Sequence, residues 1–293
     1  GNLNQHKVTF DWYFDLTPPM MGEVSEGFGE DRDWVGLTLP VRWTGFTDRS
    51  GIADYELSLG TVPGSDNFKS WFSVGTDSSY VFNQLELKEN TQYYTNVRAT
   101  DMHGNLSRTA VSDGFKVDFV PPEIVSVSVD KDTTFRLTSD VKIEYTLSEP
   151  IFSTSIFVKS ERFVGPVPFE YEIKDQSIEL SMDAPFISGD NFTITVSDMR
   201  DKANNASLRY SYNYPVSYLA DFNIDGRIDV KDFNTFTTGW QGQDLTVELG
   251  PTTGVAPHLK PQLDGTLDLK DGMAFYYMWH WQQDQAGKMI PKQ

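Results

Sequence analysis

The sequence predicts a mainly β fold, with two tandem β-sandwiches followed by a small α-helical module. Across residues 16–216, apolar and polar residues alternate in short segments that are separated by turn sequences, as in half-buried strands. The 20 Phe, 13 Tyr and 7 Trp are residues that favour strands. After Pro215 the pattern changes to acidic loops, each followed by a short helical segment. A chain of 293 residues is long enough for two or three domains.

The composition excludes several classes of partner and site. The chain has 24 Lys and Arg against 42 Asp and Glu, a formal net charge of −18. We therefore expect no binding to nucleic acid or to an anionic membrane, because like charges repel, whereas cations are natural partners. The absence of cysteine excludes disulfides and thiolate metal sites. No apolar run approaches about 18 residues, so we expect no membrane span.

An internal repeat suggests how the chain divides. Gly1-Asn2-Leu3 recurs as Gly104-Asn105-Leu106, and Asp15 with Pro18-Pro19 recurs as Asp118 with Pro121-Pro122, all at an offset of 103. We expect residues 1–15 to be the last strand of a truncated upstream module. The predicted domains are then sandwiches at 16–120 and 121–216, a helical module at 217–285 and a tail at 286–293.

The first predicted sandwich carries a family resemblance. Its alternating segments are 37–43, 55–59 and 93–99, and turn sequences lie between them. Trp43-Thr-Gly-Phe46, Ser50-Gly-Ile-Ala-Asp-Tyr-Glu56 and Asp101 with Gly104-Asn105 resemble a bacterial fibronectin type III module. That resemblance implies a sandwich fold and is nearly silent on ligand. We interpret Trp43 and Tyr93 as core residues.

The second predicted sandwich alternates at 125–129, 141–145, 178–182 and 192–196. Leu147-Ser-Glu-Pro150, together with Thr193 to Asp198 and Asp201 to Asn205, resembles bacterial Ig-like modules of surface proteins. Glu149 and Asp198 are interpreted as turn and loop acids and not as a catalytic pair. No histidine has metal spacing, and no nucleophile–base set is recognisable. We therefore expect no enzymatic activity.

Residues 221–232 have the spacing of a calcium loop. The candidate ligands are the side chains at loop positions 1, 3, 5, 9 and 12 and one carbonyl at position 7, namely Asp221, Asn223, Asp225, Asp229, Asp232 and Arg227. Gly226 permits the sharp turn at position 6. Because Ca²⁺ prefers six to eight oxygen ligands, this set predicts a Ca²⁺ site.

A second copy follows 39 residues later. Its matching positions are Asp264, Thr266, Asp268 and Asp271, and Phe236 and Trp240 match Phe275 and Trp279. We expect helices at 230–240 and 269–281 that share these aromatics as a small core. Two loop–helix units resemble a dockerin, the F-hand calcium module of cellulosomal and related surface assemblies.

The second loop departs from the dockerin pattern. Lys260 and Gln262 stand at positions 1 and 3, and a charged lysine cannot ligate a cation. Calcium at residues 260–271 stays open unless an acid outside the loop, such as Glu248, moves in.

The dockerin resemblance implies a protein partner, a cohesin or another cell-surface scaffold. The family's recognition positions correspond here to Val230-Lys231 and Leu269-Lys270, although both lysines could also be simple solvated residues. The leading hypothesis is a non-catalytic, extracellular attachment region of a larger secreted bacterial protein. The alternatives are the C-terminal accessory region of a secreted hydrolase, a glycosidase or peptidase, and a structural surface-layer or filament protein.

Overall fold

The computed structural model describes residues 14–27, 29–36 and 38–289. The predicted upstream strand at residues 1–15 falls almost wholly outside this range. The chain forms two compact units. Unit 1 runs to Val120 and includes Lys202–Asn205, and unit 2 comprises Pro121–Asp201 and the chain from Ala206 onward.

Unit 1 is built of two antiparallel sheets. Its strands are β1 (Glu23–Glu26), β2 (Trp34–Val35), β3 (Thr38–Thr44), β4 (Ile52–Gly60), β5 (Lys69–Ser73), β6 (Ser79–Asn83), β7 (Tyr94–Asp101), β8 (Ala110–Val111) and β9 (Lys116–Val117). One sheet has the order β1-β3-β6 and the other β5-β4-β7-β8, while β2 and β9 form a short parallel pair. Alternate residues of β3 are buried, as the period-two pattern predicts.

The core of unit 1 confirms the two predicted packing residues. Trp43 is 3% exposed and Tyr93 is 2% exposed. The Tyr93 hydroxyl accepts a hydrogen bond from the Lys88 backbone N–H at 2.9 Å, the tyrosine-corner arrangement of Greek-key sandwiches. Both side chains are therefore core residues that hold the sandwich together.

Unit 2 begins with a second sandwich. Its strands are β10 (Ile124–Val127), β11 (Val141–Leu147), β12 (Ser153–Ser160), β13 (Glu170–Lys174), β14 (Ser177–Met182), β15 (Asn191–Arg200) and β16 (Tyr210–Pro215). The sheet orders are β10-β11-β14-β13 and β12-β15-β16. The four alternating segments predicted in this part of the chain overlap β10, β11, β14 and β15. In β11 and β14 every second side chain is buried, as a sheet with one inward face requires.

The C-terminal segment of unit 2 contains the two predicted helices, α1 (Val230–Gly242) and α2 (Leu269–Met289). Between them lie a 3₁₀ turn (Leu245–Val247) and a hairpin of β17 (Thr252–Val255) and β18 (His258–Pro261). Its buried residues, among them Ile228, Phe236 and Leu259, join the core of the second sandwich. The helical segment and the second sandwich thus share one hydrophobic core, and the helical segment does not have a core of its own.

Candidate metal and docking site

The loop at residues 221–232 folds around Asp221. The Asp221 carboxylate accepts hydrogen bonds from the backbone N–H of Asp225 at 3.2 Å and of Gly226 at 2.9 Å. Gly226 has a φ of 79°, a conformation that glycine adopts without the strain a side chain would cause. Ile228 is 0% exposed, which anchors the loop to the core.

The last predicted ligand, Asp232, joins the loop to α1. Its carboxylate accepts from the backbone N–H of Phe222 and of Asp229, both at 2.9 Å. The Asp229 side chain in turn accepts from the Lys231 N–H at 2.8 Å, so the two acids form a capping box at the start of the helix. The loop and the first turn of α1 are therefore one hydrogen-bonded structure.

The charges of this loop fit a divalent cation. Asp221 is 6% exposed and Asp232 is 0% exposed. Burial raises the pKa of Asp221, and the neighbouring charges of Asp232 and Asp225 raise it further. Within the described residues, no basic side chain pairs with Asp221 or Asp232. All the donors are oxygens, as Ca²⁺ requires.

The carboxylates of this loop do not converge on a single point in the structure. Among the described residues, no three acids of 221–232 place their oxygens within 4.8 Å of one another. The side chain of Asn223 is engaged with Asp225, donating from Nδ2 to Oδ2 at 2.9 Å. Binding of Ca²⁺ would require these side chains to converge.

The second loop is completed by Glu248 and not by Lys260. Glu248 is 6% exposed, and its Oε1 accepts from the backbone N–H of Asp264 and of Gly265, the latter at 2.7 Å. These are the positions that Asp221 contacts in the first loop. Lys260 lies in β18, opposite Thr253, and the alignment that places it at position 1 is wrong.

A further correspondence supports this assignment. Asp271 accepts from the N–H of Leu249 at 2.8 Å and of Asp268 at 2.7 Å. Asp232 makes the same two contacts with Phe222 and Asp229. Since Leu249 follows Glu248 as Phe222 follows Asp221, the second loop is the first loop split by an insertion at residues 250–263, which contains the β17–β18 hairpin.

The two loops differ in how a lysine approaches them. Lys270 Nζ lies 3.0 Å from Asp264 and 3.2 Å from Asp268, and these contacts raise the pKa of Lys270. Lys231 Nζ lies 3.8 Å from Asp225. In the second loop, the Lys270 ammonium group therefore pairs with two of the predicted ligands. In the first loop, the Lys231 ammonium group pairs with one predicted ligand, at a longer distance.

This difference gives a first prediction. Replacing Lys270 with methionine should raise the affinity of the second loop for Ca²⁺, because it removes a positive charge that competes for Asp264 and Asp268. Lys231→Met is the matched control, with a smaller effect on the first loop. Calcium titration calorimetry measures both, and an equal change in the two variants would contradict the prediction.

Both helices expose large apolar side chains, including one at each helix start. Val230 is 63% exposed and Leu269 is 76% exposed. Phe233 on α1 and Met273, Tyr276 and Tyr277 on α2 are also exposed. The predicted aromatic core lies beneath them, where Phe236 stacks on Phe275 with ring centroids 4.9 Å apart. The helix pair thus has an aromatic core and, among its exposed residues, several large apolar side chains.

The described histidines of unit 2 have ordinary structural partners. His258 Nδ1 lies 3.0 Å from the Ser188 carbonyl, and His280 pairs with Asp284 at 3.3 Å. Asp198, one member of the rejected catalytic pair, contacts Arg200 at 2.8 Å. His6 lies outside the described residues.

Unit 1 contains an acidic cluster that the sequence pattern did not reveal. Glu26, Asp31 and Asp113 each place a carboxylate oxygen within 4.8 Å of the other two. The alternation of β1 offered a signal, because Val24 and Glu26 oppose the buried Trp43 and Val41. An acid at an inward strand position is unusual and marks a candidate site.

No family model and no curated protein matches the chain. Among solved structures, fibronectin(III)-like modules of CbhA from Clostridium thermocellum align with 15% identity and a TM-score of 0.41, covering 66% of this chain and 94% of that one. The FN1–FN3 domains of chicken CNTN1 align with 17% identity and a TM-score of 0.38, covering 68% of each chain. These are similarities of β-sandwich fold alone.

Within the described residues, no helix has the length and apolar character needed to span a membrane.

Proposed function

We propose that the helical segment is a dockerin-like module that holds Ca²⁺ and attaches an extracellular, non-catalytic chain to a cohesin-like protein. The observation that supports this most directly is the loop at 221–232, where two buried carboxylates, without a basic partner among the described residues, are fixed to the start of a helix. The split second loop gives the module a related helix start at Leu269.

Calcium would act here by neutralising the loop acids. Asp221 and Asp232 repel each other in a poorly solvated site, and a divalent cation would offset that repulsion. Hydrogen bonds within the chain then fix the start of the helix. Asp232 and Asp229 cap α1 and hold Val230 and Lys231 at its first turn.

The partner surface follows from the exposed helix starts. Each start presents an aliphatic residue followed by a lysine, Val230-Lys231 and Leu269-Lys270, and both aliphatic side chains are largely solvent-exposed. Buried apolar area would supply affinity, and a lysine pair on a chain of net charge −18 would orient an acidic receptor.

The test is capture by a panel of purified cohesin modules, with Ca²⁺ or with chelator. Asp225→Ala should abolish calcium-dependent capture, because it removes the ligand at position 5. Asp183→Ala, an exposed acid of unit 2 outside the loops, is the control. Lys231→Glu with Lys270→Glu should weaken capture strongly, whereas Lys142→Glu with Lys159→Glu on the sandwich should not. Capture indifferent to Ca²⁺ and to both loop lysines would contradict the proposal.

A further inference from the structure

The acidic cluster of unit 1 converges from three separate places in the sequence. Glu26 ends β1, Asp31 lies in the loop that follows, and Asp113 follows β8. One carboxylate oxygen of each lies within 4.8 Å of the others. The Glu26 backbone N–H donates to Asp31 Oδ1 at 2.9 Å, which turns the loop back toward the strand.

Glu26, the buried member of this cluster, has one carboxylate oxygen without a hydrogen-bond partner of normal geometry in the part of the chain that the structure describes. The residue is 0% exposed, and its Oε1 accepts from the Thr95 hydroxyl at 2.6 Å. Its Oε2 is buried and accepts no hydrogen bond of normal geometry among the described residues, although the Ser112 hydroxyl lies close enough to lower the pKa of this carboxyl. Leaving a carboxylate oxygen unpaired in a dry site is costly, so such an atom calls for a ligand that the protein does not itself supply.

The three charges of this cluster lack a basic partner in the described part of unit 1. No lysine, arginine or histidine described there forms a salt bridge with any of them. The nearby Arg42 donates to the Ser25 hydroxyl instead, at 3.2 Å. The pKa of Glu26 is raised to about 7, because burial outweighs the hydrogen bonds from Thr95 and Ser112 that lower it, and the charges of Asp31 and Asp113 raise it as well.

The cluster is also accessible from one side. Asp31 and Asp113 are exposed and line a surface pocket together with Trp43, whereas Glu26 is buried and is not among the residues that line it. A cation could thus approach the two outer carboxylates from solvent, and one oxygen of Glu26 lies within 4.8 Å of theirs. Thr95 and Ser112 are both buried beside Glu26 and linked, since the Thr95 N–H donates to the Ser112 hydroxyl oxygen at 3.0 Å.

We propose that Glu26, Asp31 and Asp113 bind a hard divalent cation, with Ca²⁺ as the natural candidate, through Glu26 Oε2 and the two outer carboxylates. An all-oxygen donor set with three carboxylates is typical of sites for hard cations and disfavours soft metals. Water would complete the coordination on the exposed side. The ion would tie β1 to the segment after β8, two stretches far apart in the sequence.

This site is independent of the proposed dockerin-like loops, and the experiment separates the two. Calcium titration of the full chain is carried out in the Asp225→Ala Glu248→Gln background, where both loops are disabled. One class of site should remain there, and it should be lost in Glu26→Gln and in Asp113→Asn. Asp66→Asn, an exposed acid of the same unit, should leave it intact.

Terbium luminescence gives a second readout, because Trp43 lines the pocket and can sensitise a bound lanthanide. The sensitised emission that Ca²⁺ displaces should disappear in both site variants. In chelator, Glu26→Gln should unfold at a temperature no lower than the unsubstituted chain, because the amide keeps the shape and removes a buried charge. Calcium binding and terbium emission that survive both Glu26→Gln and Asp113→Asn would overturn the proposal.

Discussion

Replacing Asp271 with alanine is expected to destabilise the helical segment by about 3 kcal/mol or more. The substitution leaves three backbone N–H donors unpaired, and each unpaired donor costs roughly 1 kcal/mol or more. Asp271 is 0% exposed and accepts three backbone hydrogen bonds, from Leu249 and Gly250 at 2.8 Å and from Asp268 at 2.7 Å. Its removal would disconnect the start of α2 from the segment that enters the inserted hairpin.

Chemical denaturation in the presence of chelator measures this effect without any contribution from metal. Asp271→Asn should lose less, because one acceptor oxygen remains. Asp268→Ala is the matched control, since that partly exposed acid caps the helix through the Lys270 N–H, at 2.7 Å, and should cost about 1 kcal/mol. If Asp271→Ala were no more destabilising than Asp268→Ala, the three hydrogen bonds would not carry the stability assigned to them.

Features that depend on neighbours in the sequence were predictable. The alternation of β3 and β11 follows from one buried sheet face, so the strands could be placed before any pairing was known. The candidate ligands of loop 221–232 could also be named from the sequence, because they lie within twelve consecutive residues. The second helix was predicted to end at 281 and extends to Met289, since no proline intervenes.

Features that depend on distant parts of the chain were predicted only in part or not at all. The sequence named Glu248 as an acid that could join the second loop, but its position across an insertion at 250–263, where a contiguous alignment places Lys260, depends on the fold. Glu26 and Asp113 are brought together only by the pairing of strands in unit 1. The shared core of the helices and the second sandwich likewise depends on packing, which alternation does not report.

The second large effect is expected on Ca²⁺ binding when Glu248 is replaced, and it tests whether the split second loop is a metal site. Glu248→Gln should abolish Ca²⁺ binding at the second loop and leave the loop folded. The amide oxygen still accepts from the Asp264 and Gly265 N–H groups, while the charge that a cation needs is gone.

The loss of Ca²⁺ binding in Glu248→Gln should be clearest in the Lys270→Met background, where the ammonium group no longer competes for Asp264. Asp221→Asn should produce the same loss at the first loop, since Asp221 has the corresponding two backbone contacts.

Lys260→Met is the discriminating control. A contiguous loop would bind Ca²⁺ more tightly once that lysine lost its charge, whereas a split loop would not respond. Titration calorimetry on these variants decides between the two. An unchanged number of bound ions in Glu248→Gln, or a marked gain in affinity in Lys260→Met, would mean that the second loop is not completed by Glu248.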